Sequence, residues 1–266
     1  MSNYLIVFVF LVIGVCETPS NADLNLVDIP VKIEDSDTLP KEVSVLMKYY
    51  SDIVDYKNGK LIFSNGFTLL FNDSTEKSIE ELLNKPDIQD MFTWKYNTTG
   101  DFPINKEDAG RIRNEDFFKA IYGNSKEKVR SNLKPFVWCP KLVNQTILFS
   151  TKNGAFDALK RVSDELDQHP EWKEFIKDIG GTFNWRKISG TERLSAHAYG
   201  ITIDINTKFS NYWQWDCGCK NENVELGYKN KIPIALVKIF EKNGFVWGGK
   251  WYHYDTMHFE YRPELF

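Results

Sequence analysis

Near the C-terminus two short stretches set imidazoles beside carboxylates: Ser195-Ala196-His197-Ala198-Tyr199-Gly200-Ile201-Thr202-Ile203-Asp204, then Asp255-Thr256-Met257-His258-Phe259-Glu260. Two imidazoles and one carboxylate, with a spare acid three residues before the second imidazole, are the parts of a hydrolytic zinc site. Catalytic zinc takes three protein ligands and leaves its fourth position to water, whose pKa it lowers to roughly 7. The spare acid can then take that water's proton. A lone histidine beside apolar residues is ordinarily a hydrogen-bonded packing group, but two of the chain's 4 histidines each sit in such a cluster. His169, before Pro170, and His253 have no such setting, although His253 lies close enough to Asp255 to be a candidate outer-sphere or substrate contact.

The elements that must position these groups can be read from periodicity. Ile201, Ile203 and Ile205 alternate with Thr202, Asp204 and Asn206, a period of two that predicts a strand with Asp204 on the face opposite the isoleucines. Gly200, between His197 and that strand, allows a tight turn that brings the imidazole to the side Asp204 faces. A second β-type run extends from Tyr252 to Tyr261. A regular strand would put Asp255 and His258 on opposite faces, so a bulge or loop near Thr256-Met257 must bring them together.

The pattern Ser195-x-His197-x-x-Gly200-x-x-x-Asp204 followed by Asp255-x-x-His258-Phe259-Glu260 resembles the zinc D-alanyl-D-alanine carboxypeptidases and dipeptidases of the VanY-like group, which share a fold with the Hedgehog signalling domain. The resemblance runs from roughly Phe136 to the C-terminus. It implies one zinc per chain held by His197, Asp204 and His258, with Asp255 as general base. Thr202 stands where alanine is frequent in the group, and Asp255 where many members carry glutamate. The group also uses an arginine upstream of the first histidine to hold substrate and the developing oxyanion. Arg186, on an expected strand among aromatic residues, is the first candidate and Arg193 the second. Ser195 either donates a hydrogen bond to substrate or caps the turn before His197.

The same resemblance implies hydrolysis of D-amino-acid-containing stem peptides of bacterial peptidoglycan, without fixing which bond is cut. The alternative is a non-catalytic, zinc-containing cell-wall-binding module. Asp255 discriminates, because a purely structural site has no use for a base beside an open metal position.

Composition bounds the rest. The 266 residues suffice for one catalytic core and a smaller appended region. With 33 basic and 37 acidic residues, a net charge of −4 and no Lys/Arg block, nucleic acid is not an expected partner. Tyr4 to Val15 is an apolar run of signal-peptide length, too short to span a bilayer comfortably. Residues 1–22 are therefore expected to be a signal peptide or membrane anchor, and the protein to be exported to the periplasm or cell envelope. Met1-Ser2-Asn3 lacks the usual basic residue, and Cys16 is a candidate for lipidation. Of the other cysteines, Cys139 is expected to pair with Cys217 or Cys219, or all three to be free thiols. A second metal at Cys217-Gly218-Cys219 has little support from two sulfurs alone.

The expected organisation is a linker and N-terminal accessory region over residues 23–135 and a catalytic domain over 136–266. Asp23 to about Lys41 is acidic and proline-punctuated. Beyond it we expect a helix from Val43 to Tyr56, a hairpin from Lys60 to Phe71 turning at Asn65-Gly66, and helices from Ser78 to Leu83 and from Asn114 to Tyr122. In the catalytic part a strand at Thr146 to Ser150 precedes helices at Gly154 to Gln168 and Pro233 to Asn243, with a tight aromatic turn at Trp247 to Trp251 whose tryptophans line a groove or the core. That order predicts an α+β fold, an antiparallel sheet with flanking helices.

Overall fold

A computed structural model describes residues 39–99 and 106–266. The expected signal or anchor segment, Cys16 and nearly all of the acidic linker lie outside the described residues. The described residues cluster as one compact unit. No helix among the described residues is long and apolar enough to cross a membrane.

Helix α1 (Lys41–Tyr49) buries Val43 and Leu46. It stops well short of Tyr56, because the β-branched and aromatic run that follows pairs as a strand, β1 (Ile53–Lys57). The next strand is β2 (Lys60–Phe63), joined through Asn58-Gly59 with both φ angles positive, at 51° and 72°, as a two-residue hairpin turn requires. Strand β3 (Thr68–Leu70) completes the antiparallel sheet in the order β1-β2-β3, after the expected Asn65-Gly66 turn. Ser78 caps α2 (Ile79–Asn84) in a reciprocal capping box with Glu81. Asn114 caps α3 (Glu115–Tyr122), which buries Phe117, Phe118, Ile121 and Tyr122 before Gly123 ends it; the short α4 (Lys126–Ser131) follows.

A two-stranded antiparallel ribbon comes next, β4 (Leu133–Trp138) with β5 (Gln145–Ser150). Helix α5 (Ala155–Leu166) turns Ala158, Leu159, Val162 and Leu166 inward, and α6 (Lys173–Ile176) leads to β6 (Ile179–Gly181). The remaining elements are β7 (Thr202–Asn206), α7 (Trp213–Cys217), α8 (Ile234–Glu241), β8 (Phe245–Trp247) and β9 (His258–Tyr261). The main sheet has the order β6-β7-β9-β8, antiparallel throughout. The fold is thus α+β with antiparallel sheets and flanking helices, as the sequence predicts.

One core draws on residues from both sides of position 135: Val43, Leu46 and Phe117 belong with Ile203, Phe240 and Phe259. On the sheet face away from Asp204, Phe240 of α8 stacks on Phe259 of β9 at 3.9 Å. Each such fully buried side chain contributes roughly 1.5–3 kcal/mol relative to exposure.

Two further expectations are corrected, at the Tyr252 strand and at the cysteines. The strand expected from Tyr252 begins only at His258, and Tyr252 to Met257 form turns. The tight turn expected from Trp247 to Trp251 is present as a 3₁₀ turn over Gly248–Lys250, with Trp247 also ending β8, and both tryptophans are buried, the core alternative. Cys139 is a buried free thiol beside Ser163, while Cys217 and Cys219 form a disulfide with each other. Gly218, left-handed at φ 63°, brings their Cα atoms to 5.2 Å, within bonding reach.

Candidate functional site

Strand register builds the centre of the site. Asp204 of β7 and His258 of β9 are direct antiparallel partners, so their side chains leave the sheet on one face. Asp204 Oδ1 lies 3.0 Å from His258 Nδ1, and its Oδ2 lies 3.0 Å from His197 Nε2. The carboxylate and the two ring nitrogens lie within 4.8 Å of one another, a group that could hold a metal ion.

His197 arrives from the other direction, on a single 3₁₀ turn formed by Ala196–Tyr199. Ser195 Oγ accepts from His197 N and so caps this turn. Gly200 closes it at φ 67°, a left-handed conformation that calls for glycine; a Cβ there would also lie 2.5 Å from Leu133 Cδ2, the end of a side chain that must turn aside. His197 Nδ1 donates to the Thr182 carbonyl at 2.9 Å, which fixes the ring with Nε2 turned toward Asp204.

Behind His258 stands Glu260, fully buried two residues along the same strand. Its Oε2 is 3.5 Å from His258 Nε2, while Arg113 and Arg262 each donate to it at 3.2 Å. Burial would raise its carboxyl, but Arg113, the His258 hydrogen bond and Arg262 hold it down at about 2. Arg262 also binds Glu264, which accepts from Tyr50 Oη at 2.5 Å. A buried polar chain therefore runs from the end of α1 to a metal-site histidine. Burial likewise opposes ionisation of Asp204, yet His197 and His258 pull its carboxyl well below the usual range. The same contacts lift His258 to about 10 against the effect of burial, so in the metal-free chain its ring is an imidazolium at neutral pH.

Asp255 differs from every other acid in the site. Its backbone is fixed by a hydrogen bond from its N–H to Gly248 O at 3.0 Å and by a bridge to Tyr212. A Cβ at Gly248 would lie 2.6 Å from the Asp255 carbonyl, so the strand end and this turn meet backbone to backbone. Trp247 Nε1 donates to Thr256 O at 2.9 Å and pins the following peptide. The irregular geometry expected near Thr256-Met257 is this turn. Asp255 Oδ1 is buried without a hydrogen-bond partner. Burial, then the negative charge of Asp204, raise the carboxyl to about 6.

The other candidates separate cleanly. His253 engages Asp108 Oδ2 at 2.7 Å and Glu222 O at 2.9 Å, so both ring nitrogens serve to tie residues 108 and 222 together. Arg186 does not lie on a strand, since β6 ends at Gly181; it is exposed, and its guanidinium donates to the neighbouring Lys187 carbonyl. Arg193 is half-buried, its Nε has no partner among the described residues, and burial followed by repulsion from Arg113 and Arg111 lowers its pKa to about 10. Arg113 and Arg262 escaped sequence reasoning, Arg113 because nothing local marks a partner 147 residues away. Glu260 did carry a signal, because positions two apart on a strand share a face.

No curated protein and no solved structure matches the chain. Residues 189–261, the span that carries His197, Asp204, Asp255, His258 and Glu260, match the family model described as D-alanyl-D-alanine carboxypeptidase.

Proposed function

We propose that this protein is a zinc-dependent peptidase of the D-alanyl-D-alanine carboxypeptidase type, acting on D-amino-acid-containing peptides of the bacterial cell wall. The observation that carries the reading is Asp255: a buried carboxylate oxygen without a partner, raised to about 6, beside two imidazoles and an acid that converge. A purely structural metal site has no need of such a group. The donor set itself suits zinc, which takes nitrogen and carboxylate oxygen in catalytic sites with three protein ligands.

His197 Nε2, Asp204 and His258 Nδ1 would hold one ion per chain. Zinc bound there supplies Lewis acidity, polarising a carbonyl and making water acidic enough to attack near neutral pH. The Thr182 carbonyl and the Glu260 carboxylate fix the orientation of the two imidazoles. Asp255 accepts the proton of the attacking water and returns it to the departing amine, a task suited to a carboxyl near 6. Arg193, which has a free guanidinium edge and sits four residues before His197, is a better substrate-holding group than exposed Arg186. Ser195 serves the site through its cap on the His197 turn. A substrate in the cell wall agrees with the export expected from Tyr4 to Val15.

The test compares wild type with Asp255→Asn on muropeptides ending in D-Ala-D-Ala, with mass spectrometry of the products. Wild type should release product, and the variant should retain zinc and lose most turnover, because an amide cannot accept the proton. Retention of muropeptide without any product from wild type would favour the cell-wall-binding alternative. Unchanged turnover in the variant would remove Asp255 as base.

A further inference from the structure

We propose that Asp108, which lies outside the family-matched span, is a positioning residue for the general base: acting through His253, it fixes the turn that carries Asp255. This rests on the peptidase reading above and adds to it a part for the N-terminal half of the chain in catalysis. Asp255 needs such support because it lies among turns and not on a strand, joined to Tyr212 by a single bridge. Its backbone therefore takes its position from whatever grips the residues next to it.

Two segments supply that grip. In the first, Thr256 N–H donates to Asn211 O and Trp213 N–H to Tyr254 O, each at 2.9 Å. In the second, consecutive residues from 107 to 109 all take hold of the turn. Tyr252 N–H donates to Glu107 O at 3.0 Å, and Trp251 Nε1 to Ala109 O at 2.6 Å. Between them the Asp108 carboxylate accepts from both His253 N, at 2.9 Å, and His253 Nδ1, at 2.7 Å. Asp108 thus contributes its side chain where its neighbours contribute carbonyls. The same carboxylate receives Arg111 Nη1 at 2.7 Å, and Arg111 Nη2 holds the Glu222 carboxylate at 2.7 Å. His253 Nε2 meets Glu222 O at 2.9 Å, so a closed ring of contacts runs through residues 108, 111, 222 and 253.

The consequence for catalysis follows from where that ring meets the turn. His253 is two residues before Asp255, and the planar peptides between them pass a shift of one on to the other. A base works only within hydrogen-bond reach of the proton it takes, and a misplacement of about 1 Å costs on the order of 100-fold. Asp108 is buried, and three donors converge on its carboxylate. An amide there would have to set its NH₂ against one of them, so Asp108→Asn breaks the ring while keeping the shape of the side chain. The metal ligands rest on other supports, Asp204 and His258 on strand register and His197 on its capped turn. Losing the Asp108 carboxylate therefore displaces the base and spares the zinc.

The experiment uses the full zinc-loaded chain and compares wild type, Asp108→Asn, His253→Gln and the double variant on muropeptides ending in D-Ala-D-Ala, well below their melting temperatures. Asp108→Asn should retain zinc and a KM near the wild-type value while kcat falls on the order of 10- to 100-fold. Because Asp108 acts through His253, the double variant should be about as slow as the slower single one, whereas independent effects would multiply. Lys77→Met, which breaks a separate buried cluster with Asp73, Asp87 and Asp90, controls for lost stability: it should lower Tm and keep kcat. If Asp108→Asn does not fold, His253→Gln carries the test with the same fall in kcat. Wild-type kcat in the variants, losses that multiply, or loss of zinc from Asp108→Asn overturns the proposal. Hydrogen exchange on the same zinc-loaded chains separates it from the peptidase reading. The amides of residues 252–256 should exchange faster in Asp108→Asn while those of β7 and β9 keep their protection. That pattern together with a wild type that hydrolyses no muropeptide would sink the peptidase reading and leave Asp108 as the support of the turn; unchanged exchange at 252–256 would sink Asp108 itself.

Discussion

Glu260→Gln removes one charge from the buried group behind His258 while keeping its shape. Glu260 meets only donors: His258 Nε2 at 3.5 Å, and Arg113 and Arg262 at 3.2 Å each. The glutamine NH₂ must therefore face a donor in either orientation, and two guanidiniums lose their shared counter-charge. The size of the loss can be reached in two ways. The carboxyl is held at about 2 against an ordinary 4.5, and at roughly 1.4 kcal/mol per tenfold change in acidity this corresponds to about 3 kcal/mol. Removing one member of a buried ion pair independently costs about 3–5 kcal/mol. For a chain of this size each kcal/mol lowers Tm by roughly 2–4 °C, so the metal-free variant should melt on the order of 6–12 °C lower. The sign with pH follows from a depressed acid. Its contribution is present in full above the unfolded value and fades as pH falls from 4.5 toward 2, so the gap between wild type and variant should close in that window. Chemical denaturation of both metal-free chains at pH 7 and along an acid series reads this directly. Competition with a chelator at neutral pH should show zinc affinity reduced roughly 10- to 100-fold, since Glu260 orients a ligand. A variant within about 0.5 kcal/mol of wild type, the usual scatter of neutral surface changes, and with unchanged zinc affinity would refute the argument.

Three further outcomes are expected. His197→Ala, Asp204→Ala and His258→Ala should each strip the metal, because two remaining ligands are too few for catalytic geometry; full zinc occupancy by elemental analysis in all three would remove the site. Gly200→Ala should destabilise by about 1–2 kcal/mol for the left-handed backbone, with the Leu133 side chain turning aside from the new Cβ; an unchanged urea midpoint would show that the His197 turn tolerates a side chain. Arg193→Lys should lower kcat/KM on one peptide more than Arg186→Lys, with zinc retained, because Arg186 is exposed and bonded only to its neighbour's carbonyl; the reverse order in steady-state kinetics would restore Arg186 as the substrate-holding residue.

Local signals predicted local structure where nothing distant competed. The helices expected from Ser78 to Leu83, from Asn114 to Tyr122 and from Gly154 to Gln168, and the Ile201 to Asn206 alternation, all gave elements close to those observed. The miss at residues 50–57 has a local cause too. Asn58-Gly59 marks a hairpin turn, and the β-branched and aromatic residues before it pair with β2, whereas apolar spacing alone favoured continuing the helix. Strand β8 is three residues long and wholly buried, a length at which strand and turn cannot be told apart by pattern. The cysteine pairing turned on Gly218 in a left-handed conformation, which composition does not reveal.

Legibility of the site divides along the same line. Asp204 and His258 could be named because each lies within a compact motif, but their juxtaposition is a matter of register: Asp204 faces His258 only because Ile203 faces Phe259 and buries it against Phe240. A slip of one residue would turn Asp204 into the core and scatter the ligands. What holds that register is largely non-local. Tyr50, Glu264, Arg262, Glu260 and His258 form one buried chain, entered from the side by Arg113. Such a network is costly when partly satisfied, so each member constrains the next. The residues before position 135 are thus structurally committed to the metal-site histidine, and an isolated 136–266 fragment would leave Glu260 without Arg113 and Glu264 without Tyr50. If the network matters as its burial implies, that fragment should bind zinc far more weakly than the full chain under the same chelator competition; equal affinity would show that β7 and β9 alone suffice to set the ligands.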